Sequence, residues 1–419
     1  MLLTHETEDR FGDLPDPIVF HILSYLNTKE AFQTCILSKR WNNLTNNLPI
    51  LILDSDQFES LESFDRALSQ ILSVRNEFDE DDDHSNSLLD TLDLALTPID
   101  FGAHDSFPST DLILKHMVRY ALSHNVRRLR YPITCHINSF PPIFASQTLT
   151  SLDLTVPRCF QELGSRFLFP THLNLPSLTN LTLSYFRFGA GDDGCADPFS
   201  AFNKLNTLTI IRCVVVNPRF LNSSRGVYRD DNNQPLKLRV SPSNLCNFSF
   251  TGNTSQKLCL THLSSLKHLC IDAEQVGFRN SAIQEDSAVL LSSLQDLPNI
   301  RSLTVSSNTL QVLSFVSYLF EVKFTSFCNL ESLEVQMKPI LGQLYEILCF
   351  GKFMIPGGIQ LYQATTIIPD GVIDCLIQNS PSANVSVIPY KIQDPREVRI
   401  GGPRWRKFYG KKHTKAKQI

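Results

Sequence analysis

The chain has 419 residues, 42% hydrophobic and 19% charged, with a formal net charge of −4. This is ordinary globular composition, which excludes a disordered chain, and the length allows two or three domains or one long repeat array. The small charge gives no general drive toward nucleic acid or an anionic membrane, and no run of about 18 apolar residues is present to span one. The opening MLLTHETEDR carries acidic residues and lacks the apolar stretch of a secretory signal. The 11 cysteines are odd in number and none sits in a CxxC pair. That pattern argues against a zinc ribbon and a disulfide framework, and for free thiols in a reducing compartment, cytoplasm and/or nucleus.

After a disordered N-terminus at 1–8, residues 9–53 read as three short helices. Asp16 is placed to cap the first, with Pro17 at its first helical position. Ile18, Val19, Ile22, Leu23 and Leu26 form one broad apolar stripe. Asn27-Thr28 ends that helix, and Thr28 is expected to cap the next, with Glu30 near its N-terminus. Ala31, Phe32, Cys35, Ile36 and Leu37 continue the apolar pattern, and Ser38-Lys39-Arg40-Trp41 opens a third helix that closes near Leu48-Pro49. A block this small buries the smallest share of its surface, so part of the stripe must meet another surface, in this chain or in a separate protein.

The ordered phrase LPDPIVFHILSYLNTKEAFQTCILSKRW resembles the F-box of plant F-box proteins. The resemblance implies docking on a Skp-type (ASK-type) adaptor and, through it, on the cullin and RING subunits of an SCF-type ubiquitin ligase. Carried over residue by residue, it places Leu14, Pro15, Ile18, Ile22, Leu23, Leu26, Leu37, Ser38 and Trp41 on the adaptor-facing surface. Trp41 equally suits the internal core of such a block. Thr45 departs from the pattern, since many relatives carry an aromatic there.

Ile50 to Leu53 reads as a short strand, and Phe58 to Val74 as an amphipathic helix with Leu61, Phe64, Leu68, Ile71 and Leu72 inward. The acidic run Glu77 to Asp83 reads as a solvated loop. Beyond it one phrase recurs: an apolar residue, two spacers, then apolar-x-apolar. It occurs as LTSLDL at Leu149, LTNLTL at Leu178, LNTLTI at Leu205, LCNFSF at Leu245, LKHLCI at Leu266, IRSLTV at Ile300 and LESLEV at Leu330. Weaker copies stand at Val126 and near Leu89. The spacing fits irregular leucine-rich repeats. Helical periodicity is present at Ile283 to Leu294, Leu310 to Val322, Leu341 to Leu348 and Val372 to Ile377. The expected fold is therefore α/β: a three-helix block, then at 54–390 a horseshoe with parallel strands inside and helices outside. This also resembles the leucine-rich region that follows the F-box in many plant relatives. Asn222 to Pro242 is polar and turn-rich, an insertion loop or hairpin. The tail at 391–419 is basic, with Arg404, Arg406, Lys407, Lys411, Lys412, Lys415 and Lys417, and reads as a solvated extension or a nuclear localisation signal.

No catalytic set, cofactor site or metal site emerges. Gly189-Ala190-Gly191-Asp192-Asp193-Gly194 fits a dinucleotide-binding glycine pattern, but two aspartates would repel the pyrophosphate and no helix is expected after it. The histidine pairs lack the spacing of a helical zinc site. The strands offer instead a binding face. Their apolar residues point inward, which leaves Asn180, Thr182, Ser184, Thr207, Thr209, His268, Asp272, Ser302, Thr304, Ser306, Glu334 and Gln336 on the open side. Ser151, Asp153, Thr155, Asn247, Ser249, Thr251, Cys270 and Ser332 continue it. A phosphate backbone needs rows of Lys and Arg, so this face suits a protein ligand and not a nucleic acid. The reading is a non-catalytic adaptor that selects a protein for ubiquitination. The alternatives are a non-degradative scaffold and a small-molecule-sensing receptor subunit.

Overall fold

The computed structural model describes residues 13–81, 89–96, 108–133, 142–156, 168–170, 173–218, 230, 234–260, 263–275, 280–339 and 368–390. In chain order, α1 (Asp16–Leu23), α2 (Thr28–Gln33) and α3 (Lys39–Asn46) precede β1 (Ile50–Asp54). Then come α4 (Leu61–Asp81), β2 (Thr91–Ala95), α5 (Pro108–Ser123), β3 (Arg128–Pro132), β4 (Ser151–Thr155) and β5 (Asn180–Ser184). Among the described residues the middle of the chain has strands alone: β6 (Arg187–Gly189), β7 (Cys195–Ala196), β8 (Thr207–Ile211), β9 (Val214–Val216), β10 (Lys237–Arg239), β11 (Asn247–Asn253) and β12 (Lys257–Cys259). Helices return with β13 (His268–Gln275), α6 (Asn280–Gln295), β14 (Ser302–Ser306), α7 (Ser307–Leu313), β15 (Ser332–Gln336), α8 (Val372–Ile377) and β16 (Asn384–Ile388).

Eleven strands form one sheet in the order β1-β2-β3-β4-β5-β8-β11-β13-β14-β15-β16. Every neighbouring pair is parallel, and the pairs run in step. One row crosses the whole sheet through Leu51, Leu92, Leu129, Leu152, Leu181, Leu208, Phe248, Leu269, Leu303, Leu333 and Val385. Alternation of side chains across a strand turns this common register into two faces. The apolar face and the elements behind it make one continuous core from Leu51 to Leu376.

Among the described residues helices coat the outer side near the two ends of the sheet, as expected, and the outer strands between them were not anticipated. Behind β5, β8 and β11 the outer layer is a three-stranded sheet, β12-β10-β7, and a two-stranded one, β6-β9. The connecting residues explain this: Val214-Val215-Val216 and the Phe186/Phe188 pair are β-branched and aromatic, and lose χ1 freedom in a helix. Buried Gln256 completes that layer. Its amide accepts from Val215 N at 2.8 Å and donates to Cys213 O at 3.1 Å. The chain turns from the inner to the outer layer through left-handed residues, Tyr185 (φ 66) and Arg212 (φ 52), a conformation uncommon for anything but glycine.

Other expectations need correction. The helix that starts at Leu61 runs to Asp81, into the acidic run read as a loop, because no Gly or Pro interrupts it and each further residue adds a bond. Of Leu310 to Val322, only the first four residues are α-helical, as the end of Ser307–Leu313, with a short 3₁₀ turn at Leu319–Glu321; Phe315, Val316, Ser317 and Tyr318 between them are poor helix formers. Helix α5 was not anticipated. The end of the Asn222 to Pro242 segment is an outer strand, β10, paired in parallel with β7 and β12 and not a hairpin. The Leu341 to Leu348 segment, the N-terminus at 1–8 and the tail at 391–419 lie outside the described residues.

Candidate functional site

The three N-terminal helices are held by local chemistry. Asp16 does not cap α1. Pro15 takes the cap position without a side-chain bond, and the Asp16 carboxylate instead pairs with Arg40 of α3. Arg40 also donates to the carbonyl of Leu14, so one guanidinium fixes the chain's approach to α1. Helix α2 is capped by Asn27, not Thr28, in a reciprocal box: Glu30 N donates to Asn27 Oδ1 at 2.8 Å, and Asn27 N to Glu30 Oε2 at 3.2 Å. Ser38 caps α3, accepting from Trp41 N at 3.3 Å. Val19, Leu23, Ala31, Trp41, Leu44 and Leu48 make a small core of their own. Thr45, fully buried, donates to Trp41 O at 2.8 Å.

The expected docking residues divide. Leu23 and Trp41 are 1% and 4% exposed and are turned into that small core, not outward as expected. The helical stripe is broader than the internal core it must fill, and these two lie at its centre. Leu14, Ile22 and Leu26 are half-buried, and Pro15 and Ser38 are exposed. Ile18 and Leu37 are exposed by 46% and 61%. Two side chains missed from sequence join them: Tyr25 at 77% and Ile36 at 88%. The signal was there in Cys35-Ile36-Leu37, because adjacent helical positions do not share a face and three in a row cannot all turn inward. Burial of one such side chain is worth about 1.5–3 kcal/mol, and a cluster left in water marks an interaction surface.

The open face of the large sheet is a second candidate surface. At its early strands it is a charge ladder. Arg130 Nε donates to Asp153 Oδ2 at 2.9 Å, and its Nη1 lies 3.2 Å from Asp93 Oδ2. Burial pushes the Asp93 carboxyl up, more than Arg130 pulls it down. Arg128 pairs with Asp90 and donates to Thr91 Oγ1 at 2.9 Å. Burial raises Asp90, but the bonds from Arg128 and Thr91 outweigh it and its carboxyl ends below the usual range. The middle strands present uncharged groups: Asn180 is exposed, and Thr182, Thr207 and Thr209 are half-buried. Ser302 and Thr304 are half-buried, Ser302 bonded to Ser332 at 3.0 Å, and His268 is exposed. Glu334 accepts from Gln336 Nε2 at 2.9 Å.

Three of the expected outward residues are not on offer. Ser184, Asp272 and Ser306 are 6%, 9% and 2% exposed. Ser184 and Ser306 end their strands, whereas Asp272 stands inside β13, beside Ser306 and Lys338. Ser306 caps α7 through Thr309 N, 3.1 Å away. Asp272 lies 3.7 Å from Lys338 Nζ, and burial raises its carboxyl. Beside it Arg212 bonds Glu274 and donates to Tyr185 OH at 2.7 Å, which locks the two left-handed corners together.

The glycine-rich stretch is a strand end and a tight turn. Gly191 N donates to Cys195 O at 2.9 Å, Gly194 takes φ 70, and β7 follows in place of a helix. It therefore has no helix N-terminus for a phosphate. Among the described residues no three His, Cys, Asp or Glu are gathered as metal ligands, and no helix is long and apolar enough to cross a membrane. The eight described cysteines are free thiols, and burial pushes Cys213 up to about 12.

Comparison with known proteins matches residues 11–53 to the F-box domain. An F-box/LRR-repeat protein of Arabidopsis thaliana is 33% identical over 195 residues, 43% of this chain and 38% of that protein. A putative F-box protein of the same plant is 25% identical over 366 residues, covering 80% of this chain and 70% of the relative. An F-box/FBD/LRR-repeat protein, also from Arabidopsis thaliana, is 25% identical over 355 residues, 78% of this chain and 73% of its own length. An F-box is a module that binds a Skp-type adaptor.

Proposed function

From an F-box domain joined to the parallel sheet of the plant F-box/LRR-repeat proteins, we propose that this chain is the substrate-recognition subunit of an SCF-type ubiquitin ligase. The F-box docks on the Skp-type adaptor and thereby on the cullin and RING subunits. The open sheet face takes a protein target, in the cytoplasm and/or nucleus. The chain contributes proximity and not a catalytic group: it holds the target's lysine near the charged conjugating enzyme. The observation that carries this reading is the exposure of Pro15, Ile18, Ile36 and Leu37 on a helical block whose own core is already filled.

The test is capture of a purified Skp-type adaptor by wild type and by Ile36→Asp with Leu37→Asp. Interface anchors cost roughly 2 kcal/mol or more on removal, so a loss of at least about thirtyfold in affinity is expected. Circular dichroism should remain unchanged, because neither side chain supports the core. Trp41→Ala, in contrast, should lose helix signal along with binding. If wild type binds no such adaptor at micromolar concentration, or the double variant binds as well as wild type, the reading fails.

A further inference from the structure

Among the described residues the largest fully buried side chain is an arginine. Arg75, on α4, is 2% exposed, and no carboxylate among the described residues lies within ion-pairing distance of it. Its Nη2 donates to the carbonyl of Leu48 at 2.8 Å, and Leu48 belongs to the F-box core. Its Nε donates to Tyr120 OH on α5 at 3.3 Å, and the guanidinium lies 5.9 Å from the centre of that ring. Nη1 has no hydrogen-bond partner. Taking an ion out of water without an opposite charge is expensive, and a well-packed apolar residue would stabilise the site better. Such a group is kept for the geometry it imposes.

The geometry in question is the angle between the two parts of the molecule. The apolar core of the three F-box helices is separate from that of the sheet, and of the helices' side chains Phe32 packs against the larger cluster, to which Leu51 and Leu53 of β1 belong. A small apolar contact does not fix an angle, and domains so joined move relative to each other by default. Here polar bonds do the fixing. The carbonyl of Leu48 is held by Arg75 on one side of the connection, and the carbonyl of Pro49 by Asp90 N and Thr91 N, at 2.8 and 3.0 Å, on the other. Lys29 Nζ adds a bond to Gln57 O at 2.6 Å.

We infer that Arg75 is a positioning residue that holds the adaptor-docking face and the open sheet face in one fixed mutual orientation. It acts through Leu48 and Tyr120 and touches neither partner. Its consequence for ubiquitin transfer rests on the proposed ligase reading; the orientation itself does not.

The experiment is therefore made on the isolated full-length chain. Spin labels are introduced through non-canonical residues at exposed Asn43 and Lys204, so that the cysteines stay untouched, and the distance between them is read by double electron–electron resonance. Wild type should give one narrow distribution. Arg75→Met, which keeps the stem and removes every donor, should broaden it about twofold, because the two bodies then move as loosely joined domains do. Adaptor affinity of the same variant should stay within about twofold of wild type, since the docking side chains are untouched. Arg75→Lys should restore a narrow distribution in part, through one bond to Leu48 O. Should Arg75→Met fail to fold, Tyr120→Phe removes the Nε acceptor alone and should broaden the distribution to a smaller degree. An unchanged width in each folded variant overturns the inference. Loss of adaptor binding by wild type would overturn the ligase reading and leave this result standing.

Discussion

At the β1 edge of the sheet Leu51 is fully buried; at the β16 edge Val385, in the same row, is 37% exposed. Val387, two residues on, is 49% exposed, whereas its neighbour Val335 is fully buried. Each strand turns two aliphatic side chains to this face, Leu51 and Leu53 or Val385 and Val387, so the difference comes from what lies beyond them. Beyond β1 lies the F-box. The hydroxyl of buried Thr28 accepts from Ile52 N at 2.6 Å, a main-chain donor on the sheet's outer edge. Beyond β16 the described residues offer no such cover, and all five of its residues are exposed. A repeat array buries each strand through its neighbours and needs a cap at each end. The F-box thus serves the sheet as an end cap as well as carrying the exposed side chains of Ile18, Ile36 and Leu37.

Truncating the shared row at both ends should give the largest effect and the plainest test of this contrast. Leu51→Ala is expected to cost about 2–5 kcal/mol in urea unfolding, as for a filled core. Val385→Ala should cost about 1 kcal/mol or less, because much of that side chain is already in water. Equal losses would mean that the β16 end is covered in solution.

The second effect is smaller and isolates the cap. Thr28→Val keeps the shape and removes the acceptor, which leaves the Ile52 N–H unpaired at a cost of about 1–2 kcal/mol. Hydrogen exchange should speed up at Ile52 and stay unchanged across β14 and β15. A uniform acceleration would assign the effect to global stability and not to the edge.

How much of this was legible depends on the length over which a pattern repeats. The inner strands could be read because one phrase, LTSLDL or LTNLTL, recurs with the apolar alternation of a half-buried strand. The outer strands could not, because Arg187–Gly189 and Val214–Val216 are too short to show a period. Helix α5 was legible in principle: Leu114, Met117, Val118 and Ala121 are buried at helical spacing. On the site, Ile18 and Leu37 could be carried over from family order, but burial of Leu23 and Trp41 depends on how three helices meet. Nothing in the local sequence marks Tyr185 or Arg212 as left-handed, since neither is Gly or Asn; the layered packing imposes it. Arg75 sits in a helical stretch that looks solvated on paper, and its partners are Tyr120 of α5, the missed helix, and the distant Leu48 carbonyl.

The smallest expected effect sharpens the contrast away from the edges. Burial raises the Asp272 carboxyl in the folded sheet, so protonation favours folding there. Its contribution is fully favourable below the unfolded carboxylate range and is lost as pH rises through the raised folded value. Asp272→Asn removes that titration. The variant should therefore gain stability relative to wild type at pH 7 and lose this advantage toward pH 4, read from thermal unfolding at both. An advantage independent of pH would mean that the charge is not the cause.

The in-step register has a metric consequence. Strands in a sheet lie about 4.8 Å apart, so residues such as Asn180, Thr207, Asn247 and His268 form a row with a regular interval. A helix laid along that row brings a turn every 5.4 Å or so, and slips by half an interval only after about four turns. An extended chain repeats its side every ~6.7 Å, and slips that far in little more than one repeat. The row acts as a ruler whose divisions nearly match helical pitch, so a helix can meet successive strands with the same side chain contact and an extended peptide cannot.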